Sequence, residues 1–518
     1  ARRSHVIVGI DTGGTNVDAA LVDDGVVASA KVPGDESDPL ERVLGRLPGE
    51  GEEIDRVVVA TTLVVNAAVQ NRLPACTNVL IPGPGLNPEL AFHGEENHVA
   101  EGCVDHRGRV TEEPAYRETP DEDVVAVTAK FGTRNPRPER EIAESIPREV
   151  ALGQASGPGL TFPERAATTV ANAKARPTFA AFSADVAGAL DAAGIDAPVY
   201  YLKGDAAMLS ADAMRSTPAH AIRAGAAAST LGLVALSGVE DAVCVDVGGT
   251  TTDVTRGTDG FPATEPVSAG DLETGYRGVR AISLPLGGDT RVDDSGLTER
   301  RQGNAAAFGG DAPTLTDALH VTGRLDEGAG DPDAARGAFE RFDEPEALAQ
   351  SVVETYVSRV AEAVETVDPD ANALVAGGVL GPQLAKRLAD GTSGADEVHV
   401  PAHAPVAGAV GCAVARVSVE TQLHVDSARG EMTVSAIGTR TERVEQGRTF
   451  GEGDIERLAV DRARQAARDA GAELGDAPVE VLDSRQFSVV EKSRVAGQIV
   501  DATAQVEPAL RGHLGGKS

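Results

Sequence analysis

The chain has 518 residues, with 47 Lys plus Arg against 80 Asp plus Glu and a formal net charge of -33. Such an acidic surface repels a nucleic-acid backbone and an anionic membrane alike, which argues against both binding classes. Hydrophobic content of 41% is too high for a disordered acidic chain, so the carboxylates read as a solvated shell over an Ala/Val/Leu/Gly core. Lys supplies only 7 of the basic residues, and this balance suits a protein kept soluble in concentrated salt, as in a halophilic archaeon. Length alone predicts about three domains. Cys76, Cys103, Cys244 and Cys412 lie far apart with no CxxC pair, which favours neither a zinc knuckle nor a disulfide scaffold. The longest weakly polar stretch, Ala224 to Leu236, is too short to span a bilayer, and a cytoplasmic location is expected.

In chain order, His5 to Ile10, Val17 to Val22 and Val26 to Ala30 predict a β-meander, punctuated by DTGGTN and by the DDG turn at Asp23 to Gly25. Val57 to Ala60 predicts a further strand, with a helix beginning beside Thr61 and Thr62. Thr77 to Arg140 is rich in Gly, Pro and Asp and reads as an accessory lobe. A helix is expected after Pro177, with Phe179, Phe182, Val186 and Leu190 on one side. Val199 to Leu202 and Ala242 to Val247 are strands, the second ending at another Asp-x-Gly-Gly-Thr turn. Glu346 to Val367 carries the clearest 3.6-residue period. Ala373 to Ala376 is a strand opening into GGVLG, followed by a helix through Gln383 to Leu388. From about Gln422 to Val444 the pattern is β-like, and a helix follows at Asp454 to Ala470. The expected division is residues 1–175, 176–420 and a C-terminal α+β module at 421–518.

The chemistry concentrates in a repeat. VGIDTGGTNVDAALV at Val8 to Val22 returns as VDVGGTTTDVTRG at Val245 to Gly257, about 235 residues on, which suggests a duplicated domain around a cleft. In the first copy Asp11 ends a strand and Gly13, Gly14, Thr15 and Asn16 make a turn whose N–H groups can face a phosphate. A bare phosphate would be repelled by Asp11, so Mg²⁺ is expected between them. Asp246, Gly248, Gly249, Thr250 and Thr251 repeat that grammar, and two facing turns would clamp one polyphosphate. Gly377 and Gly378, between strand and helix, would let a nucleoside approach the backbone. No G-x-G-x-x-G opens a βαβ unit, and the terminal GGKS lacks the P-loop spacing. Thr61, Thr62 and Asn66 are candidates for contact with substrate or terminal phosphate, with a helix cap as the structural alternative. Asp317 and His320, three residues apart, could offer a metal or base site from one helix face, against a helix cap and a satisfied core His.

Together the stretches GIDTGGTNVDAALVD, ATTLVVNAAVQNR, FGTRNPRPEREI, PVYYLKGDAAMLS, CVDVGGTTTDVT, PTLTDALHVTGRLD and ALVAGGVLGP make the chain resemble the hydantoinase A/5-oxoprolinase family. That resemblance implies an α/β fold of duplicated ribonuclease H-like, actin/Hsp70-like domains around a nucleotide cleft. It further implies ATP-dependent opening of a cyclic amide or imide such as a hydantoin, N-methylhydantoin or 5-oxoproline, through a phosphorylated carbonyl. Relatives instead serve as the ATP-using subunit of acetone- or acetophenone-type carboxylases, and a non-metabolic, ATP-driven conformational protein is the third reading. By the same resemblance, Asp11 and Asp246 would position Mg²⁺ or water, and a hydantoinase B-like subunit or a second copy of the chain would be the partner. The resemblance departs at Ala224, Gly225 and Ala226, where the family usually carries a Ser-Gly-Pro turn, and at Ser283 to Val292 and Ala305 to Gly310, where its glycine-rich segments are reduced.

Overall fold

The computed structural model describes residues 5–47, 54–69, 72–301, 303–325, 329–392, 395, 397–472, 474, 477–507 and 514. Among these residues two mixed sheets build the centre. In the first, Val6–Thr12 runs antiparallel to Asn16–Val22 and parallel to Ile54–Thr61. Val26–Pro33 closes one edge, and Val199–Leu202 with Met208–Ser210 closes the other. In the second, Ala242–Val247 runs antiparallel to Thr252–Thr258 and parallel to Ala373–Gly378, with Glu397–His399 beyond it. Each sheet thus has a hairpin and a parallel third strand at its middle. Val57, Val58 and Val59 of one and Val243, Val245 and Val247 of the other are fully buried, as strands covered on both faces require.

Two helices of small residues, Ala224–Ser237 and Ala407–Val414, pack on each other, and the second also packs on Val6–Thr12. With almost every residue buried, their Ala and Gly content brings backbone close to backbone. Helix Pro345–Val367 covers the second sheet through Val352, Val353, Tyr356, Val360 and Val364. Its buried Tyr356 hydroxyl lies 2.6 Å from Thr252 Oγ1, so the polar tip has a partner in the core.

The helix expected after Pro177 begins earlier, at Phe162, and runs unbroken to Ala192 with Pro177 inside it. A capping box starts it: Glu164 accepts from the Thr161 N–H at 2.9 Å, and Thr161 Oγ1 accepts from Glu164 N–H at 3.5 Å. Pro177 lies on the exposed side, and the buried stripe of Phe179, Phe182, Val186 and Leu190 continues past it, so packing outweighs the lost hydrogen bond. A domain boundary at residue 175 would cut this helix and is corrected accordingly.

The accessory lobe extends beyond Arg140, to Val150–Leu152. It carries a parallel sheet in the order Val150–Leu152, Val124–Ala129, Cys76–Ile81, Glu96–Val99. Cys76–Ile81 is wholly buried although it contains Thr77 and Asn78. Thr77 Oγ1 donates to Glu96 and Asn78 Nδ2 to the Ala91 carbonyl, so each side chain finds an acceptor inside. A five-stranded antiparallel sheet starting at Glu420–Asp426, backed by helix Glu452–Asp469, forms the C-terminal part. It ends in a long hairpin, Val479–Glu491 with Arg494–Val506. The GGKS tail lies outside the described residues.

Candidate functional site

The repeated motifs fold alike. Gly13 N–H donates to the Asn16 carbonyl and Gly248 N–H to the Thr251 carbonyl, both at 3.0 Å, so each Gly-Gly-Thr segment closes the same turn. The turns meet: Thr15 Oγ1 lies 2.7 Å from Thr250 Oγ1. Asp11, Gly13, Gly14, Thr15, Asn16, Asp246, Gly248, Gly249, Thr250 and Thr251 all line one cleft, together with Thr62 and Gly378. Residues far apart in sequence are thereby brought to a single groove between the two sheets.

Strand register adds two carboxylates, Asp253, which the second motif carries in sequence, and Asp18, which sequence reasoning missed. Asp11 stands opposite Asp18 across the first hairpin, and Asp246 opposite Asp253 across the second. All four line the cleft. Burial pushes the Asp11 carboxyl well above the usual carboxylate range, with the Asp18 and Asp246 charges adding to it. Burial likewise pushes Asp18 and Asp253 up to about 6, and raises Asp246. The signal that could have found Asp18 was in the repeat itself, since an Asp follows seven residues after the first Asp in both copies.

Asp11 Oδ1 is buried without a hydrogen-bond partner. A buried carboxylate beside three others is unfavourable unless a cation neutralises it. Two flanking glycines keep these oxygens reachable. A Cβ on Gly408 would stand 2.1 Å from Asp11 Oδ2, and one on Gly378 would stand 2.5 Å from Asp246 Oδ1. Among the described residues no group of three His, Cys, Asp or Glu is placed to hold a metal by itself. Asp11 and Asp246 are hard oxygen donors of the kind a divalent cation shares with phosphate oxygens and waters.

The remaining candidates separate. Thr62 lines the cleft, and its hydroxyl donates to the Thr12 carbonyl at 3.4 Å. Thr61 is buried and its Oγ1 accepts from the Leu63 N–H, capping helix Leu63–Val69. Asn66 belongs to that helix, but its side chain lies outside the described residues. Gly378 lines the cleft with φ +74, whereas a Cβ on Gly377 would point at Leu233 in the core. The metal site expected at Asp317 and His320 is corrected. Asp317 accepts four hydrogen bonds, from Ala306 N, Ala307 N, Thr314 N and Thr314 Oγ1, and His320 Nε2 lies 2.8 Å from the Ala329 carbonyl. Those oxygens cap helix Leu315–Val321, and neither residue lines the cleft. Gly225 and Ala226, the first departure from the family pattern, do line it.

This groove between two like lobes has counterparts. The sequence matches the hydantoinase/oxoprolinase N-terminal region over residues 7–100 and hydantoinase/oxoprolinase over residues 165–421. The chain belongs to the hydantoinase/oxoprolinase family. This is a family of ATP-using enzymes. The chain is 24% identical to the caprolactamase subunit alpha of Pseudomonas jessenii over 384 residues, 62% of this chain and 55% of that one. It therefore spans about half the length of the curated relative it matches. Among solved structures, nucleotide-free acetone carboxylase superposes with a TM-score of 0.68 at 18% identity, covering 97% of this chain and 88% of the other. The ATP-dependent caprolactamase of Pseudomonas jessenii superposes with a TM-score of 0.62 at 19% identity, covering 96% and 87%. Both likenesses establish the fold. Among the described residues no helix is long and apolar enough to cross a membrane.

Proposed function

We propose that the chain is the ATP-using component of an enzyme that opens a small cyclic amide or imide by phosphorylating its carbonyl oxygen. The observation that carries this reading is the meeting of the two Gly-Gly-Thr turns at Thr15 and Thr250 in a cleft lined by four carboxylates. A duplicated, ribonuclease H-like pair of lobes accounts for that symmetry. The lactam class is taken from the caprolactamase relative, and hydantoin, N-methylhydantoin and 5-oxoproline belong to the same chemistry.

A lactam carbonyl is a poor electrophile, so direct attack by water is slow. When its oxygen bonds to the terminal phosphorus of ATP, ADP departs and the amide N–H gives up its proton, leaving a phosphorylated imidate. Water then adds at carbon, the ring C–N bond breaks as the nitrogen takes up a proton, and the acyl phosphate so formed is hydrolysed by a second water to carboxylate and phosphate. The chain's contribution is alignment and charge. The N–H groups of Gly13 to Thr15 and Gly248 to Thr250 cradle phosphates, Gly378 borders the nucleoside, and Thr62, which lines the cleft, would meet the acceptor. Bound Mg²⁺, held by Asp11 and Asp246, would offset the charge of the phosphates. A hydantoinase B-like subunit is the proposed partner for the hydrolytic half.

Purified chain, with such a partner supplied, is expected to consume ATP faster when hydantoin, N-methylhydantoin, 5-oxoproline or caprolactam is added. Consumption indifferent to all of them refutes the cyclic-amide reading. A bicarbonate-dependent product from a ketone would assign the chain to carboxylation instead.

A further inference from the structure

The nucleotide reading above leaves one question that the cleft itself answers: which way the polyphosphate runs. Among the described residues lining the cleft, four are acidic and Lys31 alone is basic. A polyphosphate brings more negative charge into this ring, so the position of the one ammonium is decisive. It is also where the two halves differ. Asp18 faces Lys31 across neighbouring strands, while the equivalent Asp253 faces Ser283. Lys31 Nζ stands 2.6 and 2.7 Å from the two oxygens of Asp18, and Ser283 Oγ stands 2.5 Å from Asp253 Oδ1. An ammonium has three donors, and the Lys31 side chain keeps 27% of its exposure, so a donor remains for a ligand in the cleft.

A second asymmetry points the same way. Ala60 sits opposite Asp11 in the first sheet, and Gly377 sits opposite Asp246 at the matching register of the second. The first parallel strand therefore brings Thr62 to the cleft just past its end, and the second brings the side-chain-free backbone of Gly378. Hydroxyls suit phosphate oxygens, whereas an uncovered backbone suits the flat face of a nucleoside.

We propose that Lys31 is the phosphate-binding cation of the cleft and sets the direction of the nucleotide, holding the terminal phosphate against the first half while the nucleoside lies at the Gly378 turn of the second. Held in place by Asp18, the ammonium meets the phosphate at the side from which Thr62 and the acceptor face it. Asp18 is on this view a positioning residue for Lys31.

The test is calorimetric titration of the full chain, at one fixed salt concentration, with Mg·ADP and with the non-hydrolysable β,γ-imido analogue of Mg·ATP. Wild type, K31M, D18N and D18N/K31M are compared. K31M is expected to weaken the triphosphate analogue about tenfold or more while leaving ADP nearly unchanged, the loss of a charge-assisted contact to the terminal phosphate. The double variant is expected to keep that loss. Recovery of triphosphate affinity in D18N/K31M would show that Lys31 serves only as the counter-ion of Asp18, and equal weakening of both nucleotides would remove the direction; either result overturns the assignment. The double variant leaves no unpaired carboxylate behind, so the comparison survives if K31M alone folds poorly. A wild-type chain that binds neither nucleotide removes the nucleotide reading and this assignment together. A wild type that binds both, with K31M indistinguishable from it, removes the assignment alone.

Discussion

At the residue scale the site is a problem of buried charge. Asp253 is pushed up to about 6 by burial, above its ordinary value of 3.8. Between those values the folded chain holds more protons than the unfolded one, so this group's contribution to stability falls as pH rises through the window. D253N removes that penalty. Thermal melts of nucleotide-free protein are expected to show D253N gaining on wild type as pH rises from about 4 to 7, and a constant difference across that range would contradict the burial of this carboxylate. Asp11 and Asp246 are expected to matter to turnover more than to folding. D11N or D246N should lower ATP consumption about 10²-fold, the scale of a misplaced reacting group, with the near-UV circular dichroism unchanged. Gly408 offers a steric test of the same spot. A Cβ there meets Asp11 Oδ2 at 2.1 Å, so G408A is expected to impair nucleotide binding by displacing that carboxylate while leaving every ionisable group in the sequence.

At the element scale the helix Phe162–Ala192 shows where sequence patterns mislead. Pro177 read as a helix start because proline favours the first turn. The decisive signal was Thr161 with Glu164, a capping box sixteen residues upstream, and T161A is expected to lower stability by about 1 kcal/mol in denaturant melts. The two hairpins, their turns and the Gly378 strand end were legible because short Val-rich runs closed by Asp and Gly leave few alternatives. Asp18 and Lys31 were harder to see. Their role comes from cross-strand register, and a lone Asp or Lys on a strand carries no local signature. Asp317 misled for the converse reason: an acidic residue at the third position of a helix suits a cap and a metal equally well until its four donors are seen. The parallel sheet of the accessory lobe was hidden by Thr77 and Asn78, polar residues whose partners lie across the sheet.

At the scale of the whole molecule, the C-terminal part is clasped to the accessory lobe by charge. Arg107 Nε and Nη2 donate to the two oxygens of Asp426 at 2.8 and 3.0 Å, with Asp426 only 2% exposed. Arg134 pairs with Asp501, whose carboxyl is held below its usual range by the His424 hydrogen bond and by Arg134, against the upward push of burial. R107A strands a buried carboxylate and is expected to cost about 3 kcal/mol, seen as earlier proteolytic release of the C-terminal part. With a net charge of -33, the whole chain should also melt at higher temperature as salt is raised, because screening relieves its self-repulsion. The groove between the central sheets is the place where the halves must cooperate.

Cooperation of that kind is measurable. Titrating wild type, D11N, D246N and the double variant with Mg·ATP analogue reports the coupling between the two turns directly. One nucleotide per chain, with the losses from the two substitutions strongly non-additive, is the result expected if both carboxylates serve a single polyphosphate. Two independent sites, or losses that simply add, would contradict it.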